Sequence, residues 1–441
     1  MSAFPGRAAF LAITASALAS CATLPQPDET LDTLAQDYVA LQLAIGEKER
    51  GYIDAYYGPE ELRERALIEL SSKDLPQLEI LTAALRTRVE RYTDDGVEGT
   101  DIDERRARFL VAQLTAAYTR LQMMQGAELS FVDEAQGLFG VAPDLPSLST
   151  FEPIIDEIDK LVPGGGEGGD PLWQRIDRYS SRFNIPSDRL QAVFEASIAE
   201  CKRRTMAHVA LPVSESFTLG FVTDKPWSGY NYYQGQYASK IEVNTDLPIR
   251  LDRAIDLGCH EGYPGHHAFN ALLEKNLVND RGWTEFSVYP LYSPQSLVAE
   301  GSANYGIELA FTPAEQIAFE TQVLAPLAGL TSSEIADYAA LQEALSDLGS
   351  ARYTIASGYL SGDTSTEEAV ALLQKYQLIS PERAMQSLRF IDTYRSYIIN
   401  YGLGRDMVRE WIERGGADTD TKWIRMERLL SEPSLPADLA K

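Results

Sequence analysis

The sequence predicts a mainly α-helical fold with a small β-sheet beside one helix that carries the candidate chemistry. Three observations carry this reading. Apolar residues recur at three- and four-residue steps, as at Leu31, Leu34, Tyr38, Leu41 and Ile45 and again at Leu110, Leu114, Ala117, Tyr118 and Leu121. Alternating β-branched stretches are confined to Phe217–Thr223 and Ser239–Thr245. Of the chain's 4 histidines, His260, His266 and His267 crowd into a single short run.

Taken in order, residues 1–20 read as an export leader, with a positive charge at Arg7 and an apolar run from Ala8 to Leu18. Leu18-Ala19-Ser20-Cys21 resembles the bacterial lipobox, so Cys21 is the expected lipidated residue and 22–30 a tether. The expected product is a cell-envelope lipoprotein, anchored to the membrane through Cys21. Ala22 in place of aspartate directs it to the outer membrane in a Gram-negative host. Residues 31–162 then form an N-terminal helical region, interrupted at Gly51–Pro59 by a packed turn. The glycine-rich stretch 163–171 is a loop, and 172–441 is the catalytic region. Within it Pro226–Tyr237 is expected as a long aromatic loop between the two strands.

Composition excludes several classes. A net charge of −26 argues against nucleic acid as a partner, because phosphate binding needs clustered Lys and Arg. Beyond the leader no apolar run is long enough to cross a bilayer. With 3 cysteines the chain is no disulfide scaffold; an exported chain can pair Cys201 with Cys259, but the sequence offers no geometric argument that it does. Cys259 is expected as a small core residue and His208 as structural.

The run His260-Glu261-Gly262-Tyr263-Pro264-Gly265-His266-His267 points to a metal site, since imidazole is the commonest metal ligand and an adjacent glutamate supplies a general base. In an unbroken helix His266 would point about 240° away from His260, and His267 would sit about 10 Å further along the axis. Pro264 and Gly265 can break the helix, which makes His260 and His266 the expected ligands. His267 is the alternate to His266, or a substrate contact.

The third ligand is expected on the helix starting at Gln295, where Glu300, Asn304 and Glu308 form one polar stripe. Glu300 is the choice, and Asn304 a substrate contact. Glu261 is then the base that takes a proton from water. A donor for the developing oxyanion is sought among Tyr394, Arg395, Tyr397 and Tyr401, with Tyr397 and Tyr401 carried forward as catalytic candidates and an aromatic core stripe as the competing role. The segment Lys240–Thr245 is a candidate edge strand for an extended peptide, held by Asn244, or else an ordinary sheet strand.

The motif at 260–267, the Glu-Gly-x-Ala-x-Tyr segment at Glu300–Tyr305, Val243-Asn244-Thr245 and the late Tyr401-x-x-Gly404 together resemble the bacterial family known as domain of unknown function 885. The resemblance covers roughly 217–310 and, more thinly, 381–415; Ser302 stands where that family often has tryptophan. It implies a helical, zincin-like zinc metallopeptidase fold with a small sheet beside the metal-site helix, and lipoprotein members. The expected function is a zinc peptidase acting on short peptides. The alternatives are a zinc amidase or other hydrolase on a non-peptide substrate, and a non-catalytic metal-binding lipoprotein.

Overall fold

The computed structural model describes residues 29–93, 101–165 and 169–440; the leader, Cys21 and the tether up to Asp28 lie outside the described residues. From Leu31 onward helices dominate and the sheets are small. The main core joins Leu34, Val39, Leu78, Leu114 and Leu138 of the N-terminal helices to Leu297, Ile355, Leu388 and Ile399 of later ones. Apolar faces from both sides of the glycine-rich stretch therefore bury against each other, and residues 31–441 form one unit.

The described residues hold five strands, and the cavity at the site is lined from three of them. A three-stranded sheet has the order β2-β4-β3, from β2 (Ser216–Val222), β3 (Gly229–Gly235) and β4 (Ala238–Asn244). β2 runs parallel to β4, and β3 antiparallel to it. Of the two roles open to Lys240–Thr245, the ordinary sheet strand holds: residues up to Asn244 belong to the central strand, with both sides occupied and no free main-chain edge for a peptide. The Asn244 side chain donates to the Lys225 and Trp227 carbonyls, both at 3.0 Å, and accepts from the Asp246 amide. Asn244 braces its own loop and is not a substrate contact. β3 itself lies inside the expected aromatic loop. β1 (Ile53–Tyr56), inside the expected turn 51–59, pairs antiparallel with β5 (Val288–Pro290).

Cys201 and Cys259 form a disulfide, with Cα atoms 5.4 Å apart. Cys259 is therefore a cross-link, not a lone small core residue. It ties the Leu190–Met206 helix to the residue before His260. On chain-entropy grounds a loop of 58 residues closed this way stabilises the fold by about 4 kcal/mol. His208 is exposed and stacks on Trp423, ring centroids 4.7 Å apart.

Candidate metal centre

The helix Asp252–Glu261 stops one residue after His260, and a new helix begins at His266. Between them the Tyr263–Pro264 peptide is cis. Gly265 lies so close to the His260 and Cys259 carbonyls that any β-carbon there would collide with them. The break brings the two imidazole rings to 4.7 Å between centroids.

Glu300 reaches the same point from the helix Pro294–Ala310. His260 Nε2 lies 3.1 Å and His266 Nε2 3.6 Å from Glu300 Oε2. One donor atom from each of His260, His266 and Glu300 lies within 4.8 Å of the others. Among the described residues these three form a group that could hold a metal ion. Glu300 Oε2 is buried and accepts no hydrogen bond.

The proton positions explain why. Asn304 Nδ2 donates to the Tyr401 carbonyl at 3.2 Å, so Asn304 Oδ1 must face His260 Nδ1, at 3.1 Å, as an acceptor. In the neutral imidazole the proton is then on Nδ1, and the Nε2 lone pair faces the lone pairs of Glu300. Two acceptors at that distance repel unless a cation lies between them. The local field agrees. Burial works to lower the His260 pKa, but Glu300 and Glu261 raise it, so the spot favours positive charge. For Glu300 burial works upward, yet His266 and His260 hold it well below the usual carboxylate range. Two imidazoles and one carboxylate fit the zinc ion that the sequence implies.

This geometry gives Asn304 and Tyr397 orienting work beside the roles expected of them. Asn304 accepts from His260 Nδ1 and donates to the Tyr401 carbonyl, which fixes the tautomer of a candidate ligand, while it also lines the cavity. Tyr397 donates its hydroxyl to Glu300 Oε1 at 2.8 Å and orients that carboxylate. Tyr401 keeps its hydroxyl free of hydrogen bonds among the described residues, and its ring stacks near His260 at 6.2 Å. Gly301 and Gly404 explain the spacing of the late motif. A β-carbon on either would run into the backbone of the other helix, so two glycines allow Pro294–Ala310 and Ile399–Glu413 to cross closely enough to seat the tyrosines beside Glu300.

His267 is not an alternate ligand or a substrate contact. It is fully buried, with Nδ1 2.8 Å from Ser239 Oγ and Nε2 2.9 Å from Glu215 Oε2. Both nitrogens are committed to a separate network that Tyr263 and Lys202 complete through Glu215.

Glu261 points into the same cavity of about 490 Å³ as the three candidate ligands. Its Oε2 is buried without a partner, and burial pushes its pKa up against His260 and His266. Asn231 on β3 donates to the Glu261 carbonyl at 2.7 Å, satisfying an end of the broken helix. Asp54 on β1 also lines the cavity and receives the Tyr230 hydroxyl. Burial, eased by His266, pushes Asp54 up to about 7. Neither Asn231 nor Asp54 stands out in the sequence. The only signal is the clustering of aromatic and turn residues around each, which marks a packed segment as readily as a site.

No family model matches the chain, and no curated protein matches it. Among solved structures it is similar to a putative lipoprotein from Colwellia psychrerythraea, at 16% identity and TM-score 0.47, over 86% of this chain and 68% of that one. It is also similar to a protein from Shewanella oneidensis described as a putative lipoprotein of unknown function, at 12% identity and TM-score 0.48, over 91% of this chain and 81% of that one.

Proposed function

We propose that this protein is a zinc-dependent peptidase of zincin-like build, acting on short peptides and held to the cell envelope through a lipid on Cys21. One observation carries the reading. A carboxylate with no partner of its own, Glu261 Oε2, stands in the cavity beside three donors that could share one ion. A storage site has no use for such a residue. His260, His266 and Glu300 would hold zinc, which when bound supplies Lewis-acid polarisation and lowers the pKa of water at the site.

The remaining work falls to side chains. Glu261 takes a proton from the attacking water at Oε2 and passes it to the leaving nitrogen. The unengaged Tyr401 hydroxyl donates to the carbonyl oxygen as it gains charge. Tyr397 and Asn304 keep Glu300 and His260 in position. The backbone of β3 at Gly229–Asn231 lines the cavity next to Glu261, and this strand supports a reading in which the peptide lies along it. The lipid anchor rests on the lipobox pattern at Leu18–Cys21.

The test is Glu261→Gln in the mature chain, assayed for bound zinc and for hydrolysis of a mixed short-peptide library. The expected result is full zinc with turnover down roughly 10²- to 10⁴-fold. Wild type that binds zinc and cuts no peptide reopens the substrate class. Equal turnover in the variant removes Glu261 from the chemistry.

A further inference from the structure

The cavity also holds donors that hydrolysis, as described, does not use. Arg352 lines it from the helix Ala351–Leu360, and Arg383 and Ser387 from the helix Pro381–Tyr394. Arg352 has no carboxylate within ion-pair distance among the described residues, and its Nε is buried without a hydrogen-bond partner. Burial lowers its pKa, with only Tyr353 and Tyr401 acting the other way. Ser387 Oγ is likewise buried and unpartnered, and Arg383 reaches only the Pro248 carbonyl, at 3.2 Å.

This is out of keeping with the rest of the protein. Arg352 is half-buried, yet the arginines with little exposed surface elsewhere are paired, as Arg105 is with Glu432, Arg106 with Glu285, Arg120 with Glu49 and Arg175 with Asp159. With 65 acidic residues against 39 basic ones, acids are not scarce. A guanidinium with its Nε shut off from solvent and no counter-charge is costly unless a ligand supplies one. Of the three arginines that line the cavity Arg253 is paired with Asp256, and the other two, with a hydroxyl beside them, call for a planar anion; a carboxylate matches the guanidinium fork. Asp54, Asp256, Glu261 and Glu300 line the same space and disfavour a dianion such as phosphate.

We propose that Arg352, supported by Ser387 and the charge of Arg383, holds the C-terminal carboxylate of a short peptide, so that cleavage is directed to the C-terminal end. This rests on the peptidase reading. It fits also with position: Arg352 and Tyr401 line the same cavity, and Tyr401 stacks near His260.

The experiment compares two peptides identical except for a free or amidated C-terminus, with zinc-loaded wild type, Arg352→Met, Arg352→Lys and Ser387→Ala. Both kcat/KM and calorimetric affinity are measured. Wild type is expected to favour the free acid by roughly 100-fold, the loss of a charge-assisted pair. In Arg352→Met that ratio falls to about one; in Arg352→Lys, which keeps the charge without the fork, it falls part way. Should the methionine variant not fold, the lysine variant still reports. Wild type that treats both peptides alike, or Arg352→Met that still prefers the acid, overturns the proposal. If neither peptide is cut, the peptidase reading falls, and affinity alone decides: tighter acid binding lost in Arg352→Met upholds a carboxylate site, and equal binding overturns it.

Discussion

His266 and His267 are neighbours in the chain at the start of one helix, and their surroundings are opposite. Around His266 the polar atoms are left open: Glu300 Oε2 and Glu261 Oε2 are buried and accept no hydrogen bond. Around His267 Ser239, Glu215, Tyr263 and Lys202 satisfy one another. Burying polar groups is costly in both places, but only one cluster offsets that cost from within. A closed network holds a fold together, whereas an open one awaits something from outside. The helix that begins at His266 makes the split, because successive residues on it point about 100° apart; the break before it is what brings His266 to His260.

The sharpest way to break this comparison is to exchange the fates of the two histidines. His266→Ala is expected to lose bound zinc and all measurable turnover while staying folded. His267→Ala is expected to keep zinc at full stoichiometry and to lose about 2–4 kcal/mol of stability, since it leaves Glu215 and Ser239 buried with fewer partners. Metal analysis and urea melts on the two proteins check this. Zinc retained in the first and lost in the second would invert the assignment.

How far these clusters can be read from sequence depends on range. The histidine crowding and the Pro264-Gly265 pair are local, so the chain's own order of residues is enough to pick out His260 and His266. Glu300 is reachable because it sits on a polar stripe in an otherwise apolar helix. The partition between His266 and His267 is not legible, because it turns on Glu215 and Ser239, distant in the chain and unremarkable in composition. The sheet is only partly legible for the same reason. A strand's alternation shows that it is half-buried, but not whether it is central or at an edge, and β3 is hidden among aromatic residues that pack as well in a loop. β1 has 4 residues and a partner more than two hundred residues away, so no local period announces it or Asp54. The two remaining cysteines are visible, but pairing depends on the packing of two helices against each other.

A smaller effect sharpens the open side. Tyr397 donates to the oxygen of Glu300 that does not face the histidines. Tyr397→Phe keeps the ring and its packing against Phe139 at 5.9 Å and removes only the hydrogen bond. Zinc affinity measured by competition with a chelator is expected to drop roughly 10- to 100-fold, the usual consequence of freeing a ligand carboxylate from its orienting partner. An unchanged affinity would mean that the helix alone holds Glu300.

The smallest effect sharpens the closed side and concerns acid. Burial works to raise the Glu215 pKa, but hydrogen bonds from His267, Lys202 and Tyr263 prevail and hold it down to about 2, from an ordinary 4.5. A carboxylate depressed in the folded state binds its proton more readily when unfolded. The stability it contributes is therefore complete above the unfolded value and disappears as pH falls from about 4.5 toward 2. Glu215→Gln removes that titration. The variant is expected to be less stable than wild type at neutral pH and to converge with it across that acid window, in melts recorded on metal-free protein so that zinc release does not intrude. A gap between the two that stays constant down to pH 2 would mean that Glu215 is not held ionised by its partners, and the network around His267 would then be closed by packing rather than by charge.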